Sequence, residues 1–364
     1  MTQRVYNFSA GPAVLPQKVL VEAQQAVLEL PGTGMSVLEI SHRAKPIEGV
    51  IAEAKSLLTE LLGIPAGYSI IFLQGGSSLQ FSMVPMNLLR GSGKTADYLN
   101  TGSWGSKALE AARLEGATHV AWDGKPQKYT YMPTDAELQI TSGTAYVHMT
   151  ANETIQGIEF QHELNTGSVP LVCDASSNFL SRPVDVARYG LIYACAQKNA
   201  GIAGVTVVIV RDELLARVPE GLPPMLDYKL QAANDSRYNT PPVFAVYVLL
   251  LVARWLKNDM GGLAKMAAMN RSKAQRLYEV IDAQPDFYRG HARPDSRSQM
   301  NVTWRMPNEE LEGAFLKEAK ERGLLDLKGH RSVGGIRASI YNAMPREGVE
   351  TLRELMLEFQ KRHG

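Results

Sequence analysis

The apolar run Leu191-Ile-Tyr-Ala-Cys leads into Ala196-Gln-Lys-Asn-Ala-Gly, which sets Lys198 among small residues just before the next apolar run begins. A second run, Val169-Pro-Leu-Val-Cys, ends in Asp174 and is followed by Ala175, Ser176 and Ser177. If both runs are strands of one parallel sheet, these two side chains stand at carboxyl ends, the edge where such sheets gather ligands. An amine and a carboxylate held together there suit a pyridine-aldehyde cofactor. The lysine forms a Schiff base, and the aspartate keeps the ring nitrogen protonated so that the ring draws off electrons. Taken singly, Lys198 reads as a solvated loop lysine and Asp174 as a helix N-cap. Their pairing gives them chemistry.

Further strand ends carry compatible groups. Leu73-Gln-Gly-Gly-Ser-Ser-Leu-Gln runs through glycines and two serines into a helical pattern, presenting backbone N–H groups and hydroxyls to a phosphate monoester. Its spacing is neither the dinucleotide nor the P-loop pattern, and a tight turn is the plainer reading. Asn100-Thr-Gly-Ser-Trp104 brings an indole that can stack on a flat ring, and Asn152-Glu-Thr154 brings a hydroxyl. Alone, Trp104 reads as core and Thr154 as a turn residue.

The elements that must position these groups follow from periodicity. Candidate strands at 68–73, 96–99, 118–122, 145–149, 170–173, 191–195 and 205–210 alternate with helical patterns, the mark of βαβ units and a mostly parallel seven-stranded sheet. Pro46 opens a helix whose apolar residues recur at helical spacing until Gly63. Gly261-Gly262 breaks the pattern, and we place a boundary there: a large domain over 16–262, and a small α+β domain over 263–364 joined by the N-terminal arm 1–15. Within the small domain, 300–304 and 338–341 read as strands and 309–322 and 348–361 as amphipathic helices.

Composition excludes several classes of partner. Lysine plus arginine total 38 against 37 acidic residues, so no positive field draws in nucleic acid or an anionic membrane. The apolar stretch 243–253 is shorter than the roughly 20 residues that cross a bilayer. Cys173 and Cys195 form neither a disulfide framework nor a metal motif, which fits a reducing cytoplasm, and no metal is expected. The first residues lack the features of a secretory or transit peptide.

Six stretches spread along the chain resemble those of the phosphoserine aminotransferases, within the class V, fold-type I pyridoxal-phosphate enzymes. They are Ser41-His-Arg-Ala-Lys, Gly75-Gly-Ser-Ser-Leu-Gln-Phe, Asn152-Glu-Thr-Ile-Gln-Gly, Ala196-Gln-Lys-Asn, Tyr238-Asn-Thr-Pro-Pro and Lys328-Gly-His-Arg-Ser-Val-Gly-Gly-Ile-Arg-Ala-Ser-Ile-Tyr-Asn-Ala, and the opening Asn7-Phe-Ser-Ala-Gly-Pro-Ala joins them. The resemblance implies pyridoxal 5'-phosphate with Lys198 as the Schiff-base lysine, Asp174 at the ring nitrogen, Trp104 stacked on the ring and Thr154 near its hydroxyl. It implies Ser77, Ser78 and Gln197 on the cofactor phosphate, although some members carry arginine where this chain has Ser78. Asn239 and Thr240 would reach the cofactor of the neighbouring subunit in a homodimer. Arg337 would hold the substrate α-carboxylate, while His42, Arg43, His330 and Arg331 surround its distal phosphate or carboxylate. The activity implied is transfer of the amino group of L-glutamate to 3-phosphohydroxypyruvate in serine biosynthesis, and a phosphorylated hydroxythreonine of pyridoxine biosynthesis is also allowed. Alternatives are another fold-type I activity, such as alanine–glyoxylate transamination or cysteine desulfuration, and a non-catalytic protein that binds a phosphorylated metabolite. Gly334-Gly335, between Arg331 and Arg337, marks a loop expected to move on binding.

Overall fold

A computed structural model describes residues 4–364. The strands β1 (Tyr68–Leu73), β2 (Thr95–Asn100), β3 (Ala117–Asp123), β4 (Val147–Thr150), β5 (Leu171–Asp174), β6 (Tyr189–Cys195) and β7 (Thr206–Arg211) form one sheet in the order β1-β7-β6-β5-β4-β2-β3. β7 runs antiparallel to both neighbours, and every other pair is parallel. All of β1 to β6 therefore point one way, and their carboxyl ends share one edge.

The sequence pattern explains why these runs pair. Strands β4, β5 and β6 are buried at every position, as strands covered on both faces must be, and so read as continuous apolar runs. Along β7, Val207 and Ile209 enter one core while Val208 and Val210 enter the other, the period-two alternation of side chains across a sheet. One face is covered by helix α1 (Lys45–Leu62), which buries Ile47, Val50, Ile51, Ala54 and Leu58 and stops at Gly63 in the left-handed region. The other face carries α2 (Gly76–Leu88) and α3 (Ser103–Ala112), each opening directly beyond a strand end. The apolar helix α4 (Val243–Asn258) packs against α1, and among the described residues no helix is long and apolar enough to cross a membrane.

A second sheet joins Arg289–Gly290, β8 (Asn301–Arg305) and β9 (Ile336–Ser339), all antiparallel, over a separate core that holds Trp304, Phe315 and Phe359. The strand expected at 338–341 begins earlier. Pairing with β8 sets its register, with Ile336 opposite Trp304, so Arg337 lies inside the strand rather than ahead of it. Helices Glu309–Glu321 and Arg346–His363 match expectation within a few residues. Helix α5 (Leu263–Ala283) bridges the cores, with Met266 in the first and Ala274 in the second.

Residues 1–3 of the expected arm lie outside the described residues. The rest touches both parts: Tyr6–Asn7 pairs in parallel with Leu324–Leu325, Phe8 is buried in the second core, and the Ala13 N–H donates to the Gln197 carbonyl at 2.9 Å. The arm thus reaches the edge where the chemistry-bearing residues collect.

Candidate active site

Five strand ends open onto one cavity of about 210 Å³. From β1 come Gly75, Ser77 and Ser78; beyond β2, Trp104; beyond β4, Thr154; from β5, Asp174; beyond β6, Gln197 and Lys198. The structure thus brings together eight of the residues singled out from sequence or their immediate neighbours, although they are scattered over most of the first sheet.

The Lys198 ammonium donates to Thr154 Oγ1 at 2.8 Å and lies 5.6 Å from the Trp104 ring centroid. Asp174 is 3% exposed, and its Oδ1 accepts from both the backbone N–H and the hydroxyl of Ser176. Among the described residues nothing donates to Oδ2. Burial pushes the Asp174 carboxyl above its ordinary value, and the Ser176 hydrogen bonds and the Lys198 charge pull against that shift. A buried carboxylate with one oxygen held and the other facing a cavity calls for a cationic N–H donor there. The Trp104 indole N–H and the Thr150 hydroxyl are also buried without partners. On the phosphate side, α2 starts at Gly76 without a side-chain cap, so N–H groups of its first turn and the Ser78 hydroxyl are left for an anion, while the Ser77 hydroxyl is paired with Ser176. These residues fit a flat cationic ring that carries a phosphate.

Two groups that sequence reasoning did not assign shape this pocket. Ser176, noted only as small, bridges Asp174 and the Ser77 hydroxyl. Glu153, inside the Asn152-Glu-Thr motif, is fully buried; its two oxygens accept from the Trp104 N–H at 3.0 Å and the Gly105 N–H at 2.8 Å and so cap α3. Burial pushes its carboxyl up to about 7 against the pull of those donors. Gly102 permits the contact, since a Cβ there would stand 2.5 Å from the Glu153 carboxyl carbon. Its neighbours Asn152, Thr154 and Gln156 are polar, so nothing in the local sequence marked Glu153 as buried.

A larger cavity of about 720 Å³ adjoins the second sheet and is lined by His330, Arg337, Arg305, Lys125 and Lys128. The Arg337 Nε is buried without a partner, a geometry prepared for a carboxylate fork. The loop carrying His330 is held by Arg305, whose Nη1 donates to the Val333 carbonyl at 2.8 Å while its Nε pairs with Glu312 at 2.7 Å. Gly335 allows this approach, with a φ of 71° and a Cβ position only 2.6 Å from the Trp304 carbonyl. His330 Nδ1 accepts from the Ser332 N–H at 3.2 Å, and burial with the charges of Arg337, Arg331 and Lys107 pushes its pKa down. Arg331 is exposed on the same loop and does not line the cavity.

With Arg331, four further expected site residues line neither of these two cavities: His42, Arg43, Asn239 and Thr240. In the single chain His42 and Arg43 thus stand apart from His330, and Asn239 and Thr240 apart from the cavity that Lys198 lines. Arg237 pairs with Glu48 at 2.5 Å and Lys55 with Asp235, tying segment 235–240 to α1 just beyond Arg43. Cys195 lines the smaller cavity but is 5% exposed at the end of β6, without the mobility that desulfuration asks of a nucleophile.

Comparison with known proteins gives the family. The model of the family Aminotransferase class-V matches residues 5–352. Phosphoserine aminotransferase of Rhodopirellula baltica is 54% identical over 363 residues, covering 100% of this chain and 96% of that one. The chain belongs to the phosphoserine aminotransferases. Within that family, the solved enzyme of Bacillus circulans subsp. alkalophilus is 50% identical, with a TM-score of 0.97 over 99% of both chains. The pyridoxal-phosphate-bound phosphoserine aminotransferase of Trichomonas vaginalis is 40% identical, with a TM-score of 0.92 over 97% of this chain and 100% of that one. The fold is therefore fold type I, an α/β architecture with a mostly parallel seven-stranded sheet.

Proposed function

We propose that this chain is a pyridoxal-phosphate-dependent transaminase that moves the amino group of L-glutamate to 3-phosphohydroxypyruvate, giving 2-oxoglutarate and O-phospho-L-serine for serine biosynthesis. The observation that carries this reading is that Lys198 and Asp174, from two parallel strand ends, line one cavity with an uncapped helix start, beside an arginine whose Nε has no partner.

Bound there, pyridoxal phosphate supplies an aldehyde that takes up the amino group and a ring that draws off the electrons left at Cα. The chain's own residues do the rest. Lys198 attaches the cofactor and, once displaced by the amino acid, its amine takes the proton from the substrate Cα, as general base. Thr154 holds that amine at 2.8 Å, ready for its return. Asp174, fixed by Ser176, holds the ring nitrogen's proton through Oδ2. Trp104, oriented by the α3 cap on Glu153, covers one ring face. Ser77, Ser78 and Gln197 hold the cofactor phosphate. Arg337 grips the α-carboxylate, which leaves the distal phosphate or carboxylate to His330 and Arg331.

We assign Asn239, Thr240, His42 and Arg43 to the site of a second subunit in a homodimer. Ion pairs tie the segment before Asn239 to α1 just beyond Arg43, and Leu28 and Leu38, shortly before His42 in sequence, are 79% and 60% exposed, apolar surface of the kind that subunit contact covers. Pyridoxine biosynthesis, through a phosphorylated hydroxythreonine, is a second use compatible with the same anion-binding groups. A cytoplasmic location is consistent with the two buried free cysteines.

The test is the absorption spectrum of the purified protein loaded with pyridoxal phosphate. A visible band that glutamate removes, and that 3-phosphohydroxypyruvate restores far better than pyruvate, is expected. Equal restoration by pyruvate would overturn the phosphorylated substrate, and the absence of any band would overturn the attachment of the cofactor to Lys198.

A further inference from the structure

The larger cavity carries more positive charge than the assigned residues supply. No Asp or Glu lines it, whereas Lys125, Lys128, Arg305, His330 and Arg337 do. Of these, Arg305 is neutralised by Glu312. Among the described residues, neither Lys125, Lys128 nor Arg337 has a carboxylate within ion-pair distance. The nearest candidate by sequence, Asp123, is occupied: its Oδ1 accepts from the Lys125 backbone N–H at 3.0 Å and from Asn100 Nδ2 at 2.7 Å. A further lysine, on α3, lines neither cavity but stands beside Trp104, which lines the smaller one. The Lys107 ammonium lies 4.4 Å from the Trp104 ring centroid, one helical turn along α3, and close enough to His330 to depress its pKa.

The turn that presents Lys125 and Lys128 is built rather than loose. Lys128 and Tyr129 are consecutive non-glycine residues at positive φ, 54° and 56°, a conformation that persists only where the surroundings impose it. Here the Lys128 N–H donates to the Lys125 carbonyl and the Tyr129 N–H to the Gly124 carbonyl, both at 2.9 Å. From the side of the second sheet, His291 Nε2 donates to the Tyr129 carbonyl at 3.1 Å and the Arg293 N–H to the Thr130 carbonyl at 2.8 Å. The lysines are thus anchored across the cavity from His330 and Arg337.

From this placement we infer that Lys125 and Lys128, in the wall of the substrate cavity, and Lys107, close behind it on α3, form a charge-counting cluster that favours a phosphate dianion over a carboxylate at the substrate's distal end. The inference rests on the transaminase reading and adds the means by which that site discriminates between its substrates. The phosphorylated keto acid carries a phosphate dianion besides its carboxylate, a net charge of about −3, whereas glutamate, with two carboxylates and one ammonium, carries only about −1. An uncompensated cationic cavity therefore concentrates the former far more than the latter, and added salt weakens the preference.

The experiment uses the loaded full-length enzyme and the variant K107Q/K125Q/K128Q. In a two-step exchange each substrate's kcat/KM reports its own half-reaction. At low salt the variant should lose about tenfold or more in kcat/KM for 3-phosphohydroxypyruvate and change less than about twofold for glutamate, with a flatter dependence on ionic strength. Equal losses for both substrates, or an unchanged salt dependence, would overturn the inference. Binding of inorganic phosphate, measured by calorimetry, is independent of turnover. It should weaken in the variant, and unchanged phosphate binding would overturn the lysine cluster even if the transaminase reading failed for other reasons. Should the triple variant misfold, Lys128→Gln and the salt dependence of the unaltered enzyme give the same discrimination: glutamate turnover as salt-sensitive as phosphohydroxypyruvate turnover sinks it.

Discussion

In the proposed reaction Lys198 has two tasks, to hold the cofactor and to move the Cα proton, and its contact Thr154 offers only a hydroxyl in its place. Lys198→Ala should therefore lower turnover by more than about a thousandfold, equivalent to at least about 4 kcal/mol of barrier, while thermal unfolding stays close to that of the parent. The side chain is half-buried at a cavity edge and within ion-pair distance of no carboxylate, and buried Asp174, which feels its charge, keeps the two hydrogen bonds from Ser176 when it is lost. Turnover above that level, measured as glutamate-dependent formation of 2-oxoglutarate, would remove Lys198 from the mechanism. Asp174 and Arg337 differ in kind. Each is a charged group held where only a ligand can complete its hydrogen bonds, and that incompleteness marks them as functional.

At the scale of elements, α3 is held at its start by a buried carboxylate instead of a short N-cap residue. Glu153 has a folded pKa pushed up to about 7 from an ordinary 4.5, so the folded chain binds a proton there that the unfolded chain releases. A raised acid contributes stability that is fully present below about 4.5 and lost as pH rises through about 7. At about 1.4 kcal/mol per pH unit this amounts to on the order of 3 kcal/mol. Glu153→Gln does not ionise. The stability advantage of the parent over this variant, followed as Tm from pH 5 to 8, should shrink as pH rises. An advantage that grows with pH would mean that the backbone donors of Trp104 and Gly105 outweigh burial. The seven main strands and the helix ending at Gly63 were legible beforehand because hydrophobic burial imposes their periodicity. β9 was misplaced because its register is fixed by β8, a partner distant in sequence.

For the whole molecule, the decisive question is which chain supplies His42 and Arg43. If they serve the partner's site, mixing Lys198→Ala with Arg43→Ala subunits, under conditions that exchange chains, rebuilds one intact site per mixed dimer. Activity should return to roughly a quarter of the parent level at equal mixing, the share expected from random pairing with one working site in half of the dimers. No recovery on mixing, with subunit exchange shown by mass labelling, would place Arg43 in its own chain's site.

The sequence by itself singled out one lysine, one aspartate and one glycine–serine turn as candidates, and placed all of them at ends of apolar strands. Such facts are local, because a strand end, a helix start and a side chain's reactivity are set by neighbouring residues. Only the tertiary structure decided that five strand ends meet at one cavity, since strand order depends on pairings between distant segments. It alone revealed Glu153 beneath Trp104, Ser176 on Asp174, and two lysines without a paired carboxylate lining the second cavity. Burial and charge balance belong to the folded surface, and a linear chain does not state which carboxylates will come near which cations.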